Sequence, residues 1–462
     1  MTGHAGDIPE LLRLPVREAG RLMRAGHLTS ARLTREALGR VDALDRHIHS
    51  FVLVTRERAL AEAQAADRDF AAGIDRGPMQ GIPYAVKDIF DVRGTRTTAN
   101  SRAFAGRSAA MADSAVVERL SAAGAVLLGK LVTYECATVG PDASLPFPPA
   151  RNPWNTGHVT GGSSSGAGAA VAAGFVRVAI GSDTAGSIRG PAGYCGVFGL
   201  KPSFGLLSRR GSLPMAPSLD HCGVIGATPD DIAPVMDAAS GHDPADEGSV
   251  AAPHLRFADR PPPRIRGLRV GVPRHFFEGS ADAAILGAID RTLDALARAG
   301  ADVSAADLPP YDAFLACGRI IMLGEAFAIH EAAYRKDIRC FGPHMREWLL
   351  PGAFIPASGI DRARRLRVKL TARMEAALAS FDVLLAASIM TPAPRFDALP
   401  ARGVPPIDMQ CFPANVTGHP AAAVPSGFDG NGLPLSLQLV GHLFDDARLL
   451  AIAGAVARLA AS

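Results

Sequence analysis

Lysine is nearly missing from this sequence: the 462 residues hold only five, Lys87, Lys130, Lys201, Lys336 and Lys369, against 43 arginines. Where charge alone serves, the chain uses Arg. A Lys in an apolar setting is then conspicuous, because it can shed its proton at working pH and Arg cannot. Aromatic residues are also few, at 6%, which argues against base-stacking platforms. Net charge is small: 48 basic against 45 acidic side chains leave +3, too little for a chain that holds nucleic acid by its own charge. No two of the six cysteines, Cys136, Cys195, Cys222, Cys317, Cys340 and Cys411, form a C-x-x-C pair, so reduced, buried thiols in a reducing compartment are expected. The polar start, Met1 to Glu10, lacks the apolar core of a signal peptide. The longest small-residue run, Ala167 to Gly181, is broken by Arg177 and is too short to span a bilayer. These absences point to a cytoplasmic protein with no membrane partner.

What is present is a large core. Apolar residues make up 48% and charged residues 20%, which excludes a mostly disordered chain. At ~150 residues per domain the length suggests about three, although large α/β enzymes run past that as one unit. Gly 48 and Pro 35 imply many tight turns.

Residues 8–75 read as helical. Thr29 or Ser30 can cap a segment with Leu33, Ala37, Val41 and Leu44 at helical spacing, and Arg56–Ala71 is a second helix. From Gly81, Gly-Ile-Pro-Tyr-Ala-Val-Lys-Asp reads as a buried strand. A helix at Ser114–Ala123, a strand at Ala125–Gly129, a close-packed helix at Ala167–Ala173 and a strand at Val176–Ile180 follow. This alternation favours an α/β layered fold. Arg260–Arg264 is the best linker candidate, and a strand reopens at Leu268. Ala283–Arg298 and the Arg-studded Ala363–Ser380 read as amphipathic helices, with late strands at Phe381 and Leu435 and a closing helix from Asp445.

Two Ser/Gly clusters carry the chemical signal. Gly161-Gly-Ser-Ser-Ser-Gly166 lacks both phosphate-loop patterns. It matches a G-x-S-x-G nucleophile elbow centred on Ser164, with His419 or His442 as partner, but the residues before it are loop-like rather than a strand. Gly181-Ser-Asp-Thr-Ala-Gly-Ser-Ile-Arg189 does follow an apolar strand, and a serine at such a turn can have backbone N–H groups converging beside its hydroxyl, as in an oxyanion hole. That serine needs a base. Lys87 sits in an apolar strand where burial lowers a Lys pKa, unless it simply pairs with Asp88 or Asp91. Lys130 is equally apolar, and local context does not choose between them.

These blocks resemble the amidase signature family. The resemblance continues through Arg151-Asn-Pro-Trp-Asn, Cys195-Gly-Val-Phe-Gly-Leu-Lys-Pro, Ser218-Leu-Asp-His, Asn415-Val-Thr-Gly-His-Pro-Ala and Gly432-Leu-Pro-Leu-Ser-Leu-Gln-Leu-Val-Gly, in order over nearly the whole chain. It implies one large domain over 1–462, with a helical segment at 1–75, a signature core at 76–230 and the rest of the sheet and pocket-covering helices at 231–462. The fold implied is a twisted mixed β-sheet sandwiched between layers of α-helices. The family uses a Ser–cis-Ser–Lys triad. Position by position, Ser187 matches the nucleophile, Ser163 the bridging serine on a cis peptide, and Lys87 the base. Thr184, Ala185, Gly186 and Ser187 match the oxyanion-hole backbone, and Asp183, Arg189 and Ser164 the supporting residues. Lys130 and Ser164 then lose their standing as base and nucleophile. Ala185 stands where the family most often has Gly, which puts a Cβ beside the oxyanion turn, and Ser165 replaces another frequent Gly.

No metal or cofactor is implied. The expected activity is hydrolysis of C–N bonds in small, apolar or aromatic amides, carbamates (a urethanase activity) and esters through an acyl-enzyme. The substrate walls are placed at Tyr134–Pro148, Leu206–Leu219, Trp348–Ile360 and Gln410–Phe412. Partners would be the small molecule and water, with no nucleic acid, in a monomer or homodimer. The alternative is the catalytic A-type subunit of a tRNA-dependent amidotransferase; a scaffold that kept only the fold would not need the Lys87–Ser163–Ser187 set.

Overall fold

The computed structural model describes residues 7–252, 255–261, 263–400 and 409–460. Met1–Gly6 of the polar start and Pro262 of the linker candidate lie outside the described residues. Strands form where short apolar runs, rich in Val, Ile, Leu and Ala, are bounded by Gly, Pro or Ser. In chain order they are β1 (Phe51–Val54), β2 (Pro83–Lys87), β3 (Val126–Leu131), β4 (Val178–Asp183), β5 (Phe198–Lys201), β6 (His221–Gly226), β7 (Arg269–Val272), β8 (Asp302–Ala305), β9 (Val383–Ala387), β10 (Ala421–Phe428) and β11 (Pro434–Val440). They join into one sheet, ordered β1-β3-β2-β4-β6-β5-β10-β11-β9-β7-β8. The sheet is mixed: β2 runs parallel to β3 and β4, and β7 parallel to β8 and β9, while the six other pairs are antiparallel.

β2, β3, β4, β6 and β11 are buried along their whole length. Strands apolar on both sides must be covered on both faces, and helices from every part of the chain do this. Polar side chains in β2 and β4 are confined to the C-terminal ends: Lys87 closes β2, and Ser182 and Asp183 close β4. Because the two strands are parallel neighbours, with Val86 opposite Ile180, those ends lie side by side. The C-terminal edge of parallel strands is where α/β sheets usually place ligands.

Most elements fall where the sequence pattern puts them. Arg56–Ala71 and Ala283–Arg298 are helices over those residues, and Thr29, not Ser30, caps the helix Ser30–Ile48 by accepting from Arg32 N at 3.1 Å. Ser30 Oγ instead donates to Gly81 O at 2.8 Å. Helix Ala357–Leu378 starts six residues before the segment read from the sequence, directly after Pro356, and exposes Arg362, Arg364 and Arg365. Two differences matter. The segment 8–75, read as helical, also contains β1, a four-residue apolar run between its helices that pairs antiparallel with β3. A 26-residue helix, Tyr311–Lys336, had no counterpart in the pattern. By length and composition alone that helix could cross a membrane, but here it packs against helices Ala357–Leu378 and Phe412–Thr417.

Candidate active site

The adjacent ends of β2 and β4 bring together three hydroxyl or amine groups. Lys87, fully buried, donates from Nζ to Ser163 Oγ at 2.8 Å and to Ser182 Oγ at 2.9 Å. Burial pushes its pKa down to about 7, against the opposing pull of the Asp220 and Asp183 carboxylates. Near neutral pH a large share of this amine is therefore uncharged.

Ser163 follows a cis peptide, Gly162–Ser163. Its carbonyl accepts from Tyr134 N at 3.1 Å and Thr133 Oγ1 at 3.0 Å, which fixes the backbone on the far side of the hydroxyl. Gly162 has to be glycine, since a Cβ there would lie 2.0 Å from the Tyr134 ring. Ser187 stands two residues before helix Arg189–Cys195 and opens on the pocket. Its carbonyl accepts from Ser164 N at 3.2 Å, so the two Ser/Gly clusters are joined through their backbones. Among the described residues Ser163 Oγ and Ser187 Oγ share no hydrogen bond in this state; catalytic hydrogen bonds often tighten only around substrate.

The turn carrying Ser187 is built around Asp183. Its Oδ1 accepts from Gly186 N at 2.7 Å, Arg189 Nη2 at 3.0 Å and Asn415 Nδ2 at 3.0 Å. Its Oδ2 accepts from Ile188 N at 3.2 Å, Arg189 N at 3.4 Å and Arg189 Nε at 3.0 Å. Both side chains are fully buried, so this is an internal ion pair and not a surface one. Burial alone would raise the Asp183 carboxyl, but the Arg189 charge and these donors hold it well below the usual range. Arg189 also donates to Gln438 Oε1 at 2.9 Å and Asn415 Oδ1 at 2.5 Å.

Of the four positions matched to an oxyanion hole, Ala185 and Ser187 line the pocket. The Gly186 N–H is directed at Asp183, so it is engaged and not free for an oxyanion. Gly186 has φ +119° and would place a Cβ 2.8 Å from Cys411 Cβ, so it serves the turn by its conformation. Thr184 donates its hydroxyl to Asp220 Oδ1 at 2.5 Å, and Asp220 Oδ2 accepts from Met215 N and Ala216 N at 2.9 and 3.0 Å. Asp220 thereby ties the turn to the 206–219 loop. That loop is pinned further by Arg209 to Asp246 at 2.9 Å and Arg210 to Asp243 at 2.8 Å.

The structure separates the rival readings. Lys130 pairs with Asp88 Oδ1 at 2.6 Å and donates to Thr97 Oγ1 at 2.8 Å, so Asp88 serves Lys130 and not Lys87. Ser164 is an N-cap residue whose hydroxyl donates to Ser182 O at 3.1 Å. The histidines needed for an elbow lie elsewhere: His419 Nδ1 meets Thr417 Oγ1 at 2.9 Å and His442 Nε2 meets Phe381 O at 2.9 Å. Sequence reasoning passed over Ser182, whose position at a strand end one residue before Asp183 is the signal that could have found it.

Over Ser187 lies a cleft of about 260 Å³. Three expected walls contribute in part: Tyr134, Thr138, Val139 and Gly140 from the first loop, Met215 from the second, and Trp348 from the third. From the fourth, Phe412 lines the cleft beside Met409. The unexpected wall is helix Tyr311–Lys336, which presents Tyr311, Leu315, Arg319 and Met322 as a stripe at helical spacing.

This geometry is matched by known proteins. The family model described as Amidase fits residues 32–450. The chain belongs to the amidase family. Among curated relatives, the A-type subunit of the glutamyl-tRNA(Gln) amidotransferase from Anaeromyxobacter sp. (strain K) is 36% identical over 97% of this chain and 96% of its own. The protein of the same description from Synechococcus sp. (strain CC9311) is 35% identical over 93% and 94%. Among solved structures, a chain from a vestigial protein complex that reveals the evolutionary origins of an s-triazine catabolic enzyme superposes with TM-score 0.91 at 34% identity, covering 96% of this chain and 98% of its own. The peptide amidase of Stenotrophomonas maltophilia superposes with TM-score 0.83 at 31% identity, covering 96% of each chain. This amidase-family chain thus shares its full-length fold with enzymes that act on C–N bonds.

Proposed function

We propose that the protein cleaves carboxamide C–N bonds through a seryl acyl-enzyme, with Lys87 as base, Ser163 as bridge and Ser187 as nucleophile. The observation that carries this is the 2.8 Å contact from a fully buried, partly neutral Lys87 amine to Ser163 Oγ. Uncharged Lys87 takes the Ser163 proton while Ser163 takes that of Ser187, and Ser187 Oγ attacks the carbonyl carbon. The oxygen that becomes negative is met by the backbone N–H groups of Ala185 and Ser187, the two turn residues that face the cleft, while the Gly186 N–H stays on Asp183. The relay then reverses: Lys87 returns its proton through Ser163 to the leaving nitrogen, the C–N bond breaks, and the acyl group stays on Ser187. Water, deprotonated along the same path, releases the acid.

Two settings fit this chemistry. One is a free-standing hydrolase of small apolar or aromatic amides, carbamates and esters. The other is a catalytic A-type subunit of a tRNA-dependent amidotransferase. The curated relatives favour the second, because they match along the whole length and carry that description. In that setting the acceptor is a charged tRNA and partner subunits are required. A net charge of +3 excludes only a chain that grips RNA by its own charge, so the expectation of no nucleic-acid partner does not carry over to an assembly. Either setting belongs in the cytoplasm. The test is a panel of primary amides, anilides, carbamates and esters offered to the purified chain, with mass spectrometry of the trapped adduct. Acyl label on Ser187 supports the mechanism, and label elsewhere refutes it. Turnover by the chain alone supports the first setting, and turnover only with co-purifying subunits the second.

A further inference from the structure

Arg319 stands out within the cleft. Among the described residues that line it, Arg319 is the sole carrier of a formal charge. It is exposed at the cleft wall and makes no hydrogen bond or ion pair with the described residues. Its surroundings on the helix explain why. The positions one turn away, Leu315, Ala316, Met322 and Leu323, are all apolar. Other exposed helical arginines have an acid at that spacing: Arg335 meets Glu331 at 2.8 Å, and Arg365 meets Asp361. Arg319 thus projects an unpaired planar cation into a largely apolar cleft.

Its placement relative to the nucleophile follows from the helix. Tyr311 reaches Met409 O at 3.5 Å, and the neighbouring Cys411 packs against Gly186, so the Tyr311 end is the Ser187 end. Arg319 is eight residues further, about 12 Å along the axis. Leu315 lies between them on the same face of the helix, and Met215 also lines the cleft.

We propose that Arg319 is a specificity-determining residue that receives the carboxylate of an acid-bearing carboxamide, with an apolar chain spanning the distance to the scissile carbon at Ser187. The guanidinium fork suits a carboxylate. A single cation also fits a singly charged group better than a phosphate, which gathers several donors. This rests on the acyl-enzyme reading above and replaces the expectation of uncharged substrates.

The test uses the full-length chain and the monoamides of glutaric, adipic and pimelic acid, each against the unsubstituted amide of the same chain length. For the best acid, kcat/KM should exceed that of its neutral match at least tenfold, mostly through KM, and the preference should shrink at high salt. Arg319→Gln should bring the ratio close to one, and Arg319→Lys should restore part of it. Equilibrium binding of the same acids to the Ser187→Ala protein gives a readout that needs no turnover. Tighter binding of acid than of neutral amide, lost in the Ser187→Ala/Arg319→Gln protein, supports Arg319 even if the chain alone turns nothing over. A neutral preference in both arms, or an acid preference that survives Arg319→Gln, overturns the proposal and leaves the acyl-enzyme reading intact. Acyl label found away from Ser187 would instead sink that reading while the binding arm still judges Arg319.

Discussion

Asp183→Asn should damage both stability and catalysis, by amounts the structure allows us to work out. Asn keeps one acceptor, which can still serve Gly186 N, Arg189 Nη2 and Asn415 Nδ2. Its amide group, however, would face the donors Ile188 N, Arg189 N and Arg189 Nε. The Arg189 charge would remain fully buried with no counter-charge in contact. Removing one partner of such a pair costs about 3–5 kcal/mol. Gln438 and Asn415 still accept from Arg189, so the loss should sit near ~3 kcal/mol. The Ser187 turn would lose its anchor, and kcat should drop by more than tenfold. Urea denaturation of the wild type, both single variants and Asp183→Asn/Arg189→Met closes a double-mutant cycle. The double variant should cost less than the sum of the singles by ~2 kcal/mol or more. Additive losses, or an Asp183→Asn protein with wild-type kcat and under ~1 kcal/mol of destabilisation, would refute the reasoning.

Ser187→Ala should abolish turnover while its urea midpoint stays at the wild-type value, since the hydroxyl opens on the cleft and holds no partner in place. The kcat/KM of the wild type should rise with pH and level off above about 7, because the amine must be neutral to act; at pH 5 the rate should be about a hundredth of the plateau. Glu135 supplies a stability prediction of opposite sign. Burial raises this carboxyl to about 7, although Ser101 Oγ and Gly342 N donate to it at 2.6 and 2.8 Å. Between the ordinary 4.5 and about 7 the unfolded chain is ionised and the folded one still holds its proton, so stability falls as pH rises through that window. Glu135→Gln should remove up to about 3 kcal/mol of that slope in urea titrations at pH 4.5 and 7.5.

How much of this was legible beforehand depends on whether the signal is local. Buried strands followed by Ser/Gly clusters declare themselves by composition, and so the strand ends carrying Lys87 and Asp183 were readable. The choice between Lys87 and Lys130 came from the family resemblance and not from local composition. Both lie in strands buried on every residue, and only the parallel pairing shows that Asp88 reaches Lys130 while Lys87 meets Ser163. The oxyanion turn was readable as a motif, but the capture of Gly186 N by Asp183 depends on a side-chain rotamer that no spacing reports. Helix Tyr311–Lys336 escaped because it is apolar on several sides: one side packs on helix Ala357–Leu378 and another lines the cleft, which erases the single stripe that marks an amphipathic helix. With it went Arg319, and hence the only formal charge among the described cleft residues.

The scarcity of lysine makes the central claim open to direct measurement. Labelling the five lysines with carbon-13 at Cε gives few enough signals to assign Lys87 by comparison with Lys87→Met, and each can be followed by NMR as pH is varied. The account predicts that the Lys87 signal titrates with a midpoint near 7. A midpoint at the ordinary lysine value of about 10.4 would mean that the amine beside Ser163 is charged at working pH and cannot start the relay.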